Sequence, residues 1–318
     1  MGTAAKCSGL AVLCAIVLLV LGSGASAAAP DNALQFDGTD DYVTFGQATS
    51  TLGATQFTLE AWFKRAGTGG LGMSTGTGGL TNAIPLVTKG RGEGETPANL
   101  NTNYFLGLDA STNKLVADFE DTATGLNHPA LPATGTLVAT PDVWHHAAAT
   151  YDGTTWRIYL DGKLDRAVNI GNFTPESTSI QHAAIGSALL STGLPGTSPG
   201  FFAGQMDEVR IWNVVRTGAQ IRANKDTETP TPTTGLRGHW SLDEGAGPTA
   251  GDSSGQNVTG TLTNGPAWVG GYSFPQDVSA PAAVQNLVAT PGNTTVSLTW
   301  SANSESDLVD ACRRYFEH

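Results

Sequence analysis

Alternation of apolar and polar positions with a period of two runs through most of the chain. In Phe57–Lys64, the residues Phe57, Leu59, Ala61 and Phe63 fall on one face. Thr58, Glu60, Trp62 and Lys64 fall on the other. That pattern predicts a strand, because successive side chains of extended backbone point to opposite sides. Similar runs cover Tyr104–Leu108, Leu115–Phe119, Val143–Tyr151, Trp156–Leu160, His182–Ile185 and Met206–Trp212. Turn signals at Asp37-Gly38, Asp152-Gly153 and Asp161-Gly162 punctuate them, as Asp-Gly pairs do in tight turns. Regularly spaced strands with glycine-rich turns predict a sandwich of two sheets. One short helix is predicted after the strands. Thr217 caps it, Gln220 completes a capping box, and it fades near Lys225. Residues 66–103 are rich in Gly, Thr and Ser with a single apolar patch, Ile84–Val87, and read as a long loop that is functional or flexible.

Composition supports this picture and narrows the partners. The chain has 318 residues, enough for one large β domain with an additional small module. Only 14% of residues are charged, and there are 40 glycines, which suits short strands joined by many turns. The formal net charge of −12 opposes nucleic acid and anionic membrane surfaces as partners, while favouring divalent cations.

Before Asp31 the only charge is Lys6, and Leu10–Leu21 is a short apolar run followed by Ala25-Ser26-Ala27. Residues 1–27 therefore read as a secretory signal peptide, and the run is too short for a membrane span. The expected location is secreted or cell surface, without membrane insertion. Two of the three cysteines, Cys7 and Cys14, lie in that segment. Cys312 is then alone, so no intrachain disulfide is expected in the mature chain. The remaining divisions are 28–226 as the sandwich, 227–234 as a stiff Thr/Pro connector, 235–275 as a further strand segment, and 276–318 as a separate C-terminal piece.

Three motifs carry a family resemblance. The first is Ala33–Val43, containing Phe36-Asp37-Gly38-Thr39-Asp40-Asp41-Tyr42, followed by Phe57–Phe63. The second is Val143–Gly153 with Tyr159-Leu160-Asp161-Gly162. The third is Phe202–Asn213, containing Met206-Asp207-Glu208-Val209-Arg210-Ile211-Trp212. Their order and spacing resemble the laminin-G-like jelly-roll domains of the concanavalin A-like lectin/glucanase superfamily, over about 190 residues. The resemblance implies an all-β, two-sheet antiparallel jelly-roll sandwich. Gly235–Gly245 with Asp252-Ser253-Ser254-Gly255 is similar to the opening strands of the same family, yet follows the body. It either begins a truncated second copy or fills the first-strand slot of the same sandwich, as in a circular permutation; the second is the favoured reading. Residues 281–310 resemble the first strands of a fibronectin type III domain, so the C-terminal piece is expected to be an incomplete domain of that kind.

Candidate chemistry follows. Asp37, Asp40 and Asp41 crowd one turn, and hard oxygen ligands on a loop suit calcium; Asp207 is a weaker fourth candidate. The competing role of Asp in an Asp-Gly turn is to accept backbone hydrogen bonds. Trp62, Tyr104, Glu120 and His128 are the candidates for ligand contact. Trp62 lies on the less apolar face of its strand, Tyr104 beside the asparagines that end the long loop, Glu120 in an acidic strand end, and His128 in a turn. Asp118 and Glu120 share a strand face but do not match the paired-carboxylate motif of the superfamily's glycosidases. His145 and His146 point to opposite faces and cannot ligate one metal. Glu208 and Arg210 share a face and are expected to pair. Trp144, Trp156 and Trp212 are expected in the core. The resemblance implies a non-catalytic recognition module for a glycan or an extracellular protein, part of a larger modular surface protein. A glycan hydrolase or lyase, and a bare structural spacer, are the alternatives.

Overall fold

The computed structural model describes residues 31–92, 95, 101–132, 135–274, 288–291 and 296–299. Residues 30–274 form one compact unit. Its strands are β1 (Asn32–Asp37), β2 (Tyr42–Thr44), β3 (Phe57–Arg65), β4 (Ala83–Lys89), β5 (Tyr104–Asp109), β6 (Leu115–Asp118), β7 (His145–Tyr151), β8 (Thr155–Leu160), β9 (Lys163–Asn169), β10 (Ala183–Ile185), β11 (Ala203–Trp212), β12 (Leu236–Trp240), β13 (Thr249–Ala250), β14 (Gly260–Thr263) and β15 (Ala267–Gly270). Helix α1 covers Thr49–Leu52, and α2 covers Gly218–Asn224. The capping box on α2 is formed, with the Thr217 side chain accepting from the Gln220 N–H.

The strands make two antiparallel sheets. One runs β15-β1-β11-β3-β7-β8-β9, with β12 also on β11; the other runs β13-β14-β2-β10-β4-β5-β6. This is the all-β jelly-roll sandwich. Its core lies between the sheets, where Phe57, Leu59, Ala61 and Phe63 meet Leu106, Leu108, Tyr104 and Phe119. Phe57 sits among Tyr104, Tyr151 and Trp156, with ring centroids 5.3–6.1 Å apart, the tilted spacing that aromatic quadrupoles favour.

The opposite face of β3 is buried too. Glu60 meets His146 Nε2 at 3.4 Å and Arg216 Nε at 3.6 Å. Burial alone would raise its carboxyl pKa, but the His146 hydrogen bond and the charges of His146, Arg210 and Arg216 bring it below the ordinary value. The segment after β11 covers this face: Arg216 N–H donates to Thr58 Oγ1, and Arg210 donates to the Asn224 and Thr227 carbonyls.

Two expectations change. Residues 66–103 are not one loop, because Ile84–Val87 lies in β4, fully buried between β10 and β5. Pro85 hid that strand. It sits where the β4–β5 register shifts, a place where a sheet tolerates proline. Trp144 is half-buried rather than in the core, beneath Lys64 Nζ at 5.4 Å.

Residues 236–270 add to both sheets. β12 pairs with β11, β14 with β2, and β15 with β1. Trp240 stacks on Phe45 at 4.0 Å and donates to the Val258 carbonyl. β1 and β12 pair with successive stretches of β11: Leu34–Asp37 faces Met206–Ala203, and Trp240–Leu236 faces Val209–Trp212. Between them, the β11–β3 register shifts after Asp207, and Glu208 takes a positive φ of 49°. This bulge marks a seam between two strand ends.

The described part of the second unit is the hairpin β16 (Val288–Pro291) with β17 (Val296–Thr299). The remainder of the fibronectin expectation, the signal peptide and Cys312 lie outside the described residues. Among the described residues no helix is long and apolar enough to cross a membrane.

Candidate functional site

The acidic turn forms where β1 ends. Gly38 takes φ +79°, letting the chain reverse. Asp37 Oδ1 accepts from the N–H of Thr39 at 2.7 Å and of Asp40 at 3.3 Å, and Asp41 Oδ2 accepts from the Asp37 N–H at 2.9 Å. The Thr39 hydrogen bond, ahead of the other backbone donors, holds Asp37 below the usual carboxylate range, whereas burial raises Asp41. One oxygen from each of Asp37, Asp40 and Asp41 lies within 4.8 Å of the others. Asp207 does not join them. Asp37 faces Ala203 on β11, and Asp207 lies four residues further along that strand.

The four ligand-contact candidates do not converge. Trp62 is covered: Tyr272 stacks on its indole at 3.5 Å, and its Nε1 donates to the Lys225 carbonyl. Tyr104 is in the core, donating its hydroxyl to the Leu52 carbonyl; the sheet on β5 buries what its polar neighbours suggested was surface. Glu120 is buried with Oε2 accepting from the Thr102 N–H. His128 is packed on Phe173 at 3.6 Å, with Nε2 on Asp121 Oδ2 at 2.8 Å. Asp118 is also buried. It accepts from Thr75 Oγ1 at 2.5 Å, and burial pushes its carboxyl up to about 8.

The structure instead opens a cleft of about 270 Å³ at the seam. It is lined by Glu228, Thr229, Pro230 and Thr233 of the connector, Leu236 and His239 of β12, and Ser241, Asp243 and Ser253 beyond it. His239 is fixed from both sides. Its Nε2 meets Glu208 Oε2 at 2.9 Å, and its Nδ1 meets Ser253 Oγ at 2.8 Å. Glu208 also holds Arg210, so the expected Glu208–Arg210 pair is present. Asp243 Oδ1 accepts from the Asn32 N–H at 3.1 Å. Asp207 accepts from the Glu208 and Tyr272 N–H groups, both at 2.8 Å.

Carboxyl groups crowd together here. Burial raises the Asp31 carboxyl to about 7, helped by the charges of Asp243, Glu208 and Glu228 and a hydrogen bond to Asp243. Burial likewise raises Asp207 to about 9, reinforced by Glu208, Asp31 and Asp243. Asp31, His239, Asp243 and Ser253 were not marked as site residues by sequence reasoning. The signal was the Gly235–Gly255 motif, whose partner edge could not be read from the chain.

The fold defines a class, the concanavalin A-like jelly-roll sandwich. A laminin-G model described as concanavalin A-like lectin/glucanases superfamily matches residues 37–222, more than half the chain, and the protein belongs to that family. The mouse protein pappalysin-1 is 24% identical over 223 residues, covering 66% of this chain; the chain spans 12% of that relative's length. Among solved structures, a Bacteroides ovatus protein provisionally named carbohydrate-binding is 22% identical, with TM-score 0.49, covering 77% of this chain and 61% of the other. The heptameric pentraxin of Limulus polyphemus is 14% identical, with TM-score 0.39, covering 62% and 82%.

Proposed function

We propose that the sandwich is a secreted, non-catalytic recognition module of a larger surface protein that binds carbohydrate in the cleft beside His239. The observation that carries this reading is the cleft itself: carboxylate and hydroxyl groups of the connector and loops, with the imidazole of His239 on β12, around a space of about 270 Å³. Sugar hydroxyls donate and accept in the same directions, and a site is recognised by its convergent polar groups. Membership of a lectin/glucanase superfamily supports the reading without fixing it. The hydrolase alternative would need Asp118 and Glu120 to flank a substrate bond, and both are buried and engaged.

The test is a glycan microarray probed with the full chain and with Ser241→Trp, which fills the cleft. Binding by the parent chain and its loss in a folded Ser241→Trp chain support the reading. Binding that survives the substitution moves the site elsewhere; no binding to any glycan favours the spacer or protein-binding alternatives. We also assign the turn at Asp37, Asp40 and Asp41 as a calcium site, with oxygen donors suited to that ion.

A further inference from the structure

Resting on the carbohydrate reading above, we propose that the cleft selects its sugar by charge, taking neutral or amine-bearing rings and rejecting uronates, sialic acids and sulfated sugars. Glu228 and Asp243 present carboxylates at its walls. Behind them lie Asp31, hydrogen-bonded to Asp243, and the Glu208–Arg210 pair, which His239 links to the cleft. The neighbouring cations are already committed. Arg210 is held by Glu208 and by the Asn224 and Thr227 carbonyls. Arg216 reaches the carbonyls of Thr231 and Pro232 as well as Glu60. Arg237 engages the side chain of Asn213, and Lys225 pairs with Asp226. No Lys or Arg lines the cleft among the described residues.

The consequence for a ligand is direct. A carboxylate or sulfate entering the cleft meets two like charges at its walls, with no guanidinium to grip it. Neutral rings avoid this repulsion, because an ionised carboxylate accepts hydrogen bonds from sugar hydroxyls without needing a counter-charge. An ammonium group gains a charge-assisted hydrogen bond as well. Two like-charge contacts at the cleft wall weaken an anionic sugar by about tenfold relative to its neutral counterpart. Selectivity of this kind arises from what the site repels as much as from what it attracts.

The experiment uses the full chain, and Glu228→Gln with Asp243→Asn together, on an array carrying matched neutral, aminated, uronate, sialylated and sulfated glycans. Asn at 243 keeps an oxygen for the Asn32 N–H, and Glu228 is exposed, so the double variant retains the fold. The expected result is that the parent chain binds neutral or aminated glycans at least about tenfold more tightly than anionic versions of the same backbone. The double variant binds neutral glycans more weakly, because it loses charged acceptors, yet binds the anionic versions at least as well as the parent chain, so most of the difference disappears. Equal or tighter binding of anionic glycans by the parent chain overturns the inference and leaves the carbohydrate reading standing. Discrimination that persists unchanged in the double variant also overturns it. No glycan binding at all, or binding undisturbed by Ser241→Trp, sinks the carbohydrate reading at this cleft and the inference with it.

Discussion

An exposed aspartate of the turn and a buried aspartate of the seam behave oppositely. At the turn, Asp37 and Asp40 face solvent, and Asp37 is held low by backbone donors. At the seam, Asp207 is buried beside Asp31, Glu208 and Asp243, and is pushed up to about 9. The residue type is the same; what differs is the supply of water and of N–H donors relative to neighbouring charge. A carboxylate stabilised by donors favours its ionised form, whereas one that is buried, and then crowded by others, favours its protonated form.

The largest expected effect lies at the seam. Asp207→Ala leaves the buried Glu208 N–H and the half-buried Tyr272 N–H without their acceptor, at roughly 1–3 kcal/mol each, less for the second. Denaturant unfolding should show a loss of about 2–5 kcal/mol; an unchanged midpoint would mean that Asp207 does not anchor the 271–272 segment. Next comes calcium. If the turn binds it, calcium at a hundredfold excess over its dissociation constant stabilises the protein by about 2.7 kcal/mol, and Asp37→Asn with Asp40→Asn abolishes the shift. Coincident melting curves in calcium and in EDTA would leave the three aspartates as turn residues alone.

The pH response separates the two groups further. Asp31 and Asp207 have folded pKa values near 7 and 9, above the ordinary 3.8. Their contribution to stability is complete below about 4 and is lost as pH rises through those values. Asp37 is lowered, so its contribution is present above the ordinary value and is lost as pH falls below it. Asp31→Asn should raise the melting temperature more at pH 8.5 than at pH 5. A variant that melts with the parent at pH 8.5 would show that the seam carries no net repulsion. The smallest effect is Asp37→Ala, about 1 kcal/mol or less, because water replaces the carboxylate at an exposed turn.

The chain by itself determined the strands with clean alternation. Phe57–Lys64 reads correctly because one face must be apolar to meet a core. The α2 helix reads correctly because Thr217 and Gln220 satisfy its first N–H groups locally. The aspartate turn was visible for the same reason, since its donors and acceptors lie within five residues of one another. Tertiary structure decided what no local pattern encodes. Tyr104 looked exposed beside asparagines, yet β5 lies inside a sheet. Trp62 looked open on the polar face of β3, yet Tyr272, 210 positions on, stacks over it. The cleft depends on β12 joining the edge of β11 just beyond the end of β1, which brings Asn32 to Asp243 across 211 positions. Local pattern fixes which face of a strand is apolar; only the closed sheet decides which edge pairs with which, and so where its charges are gathered.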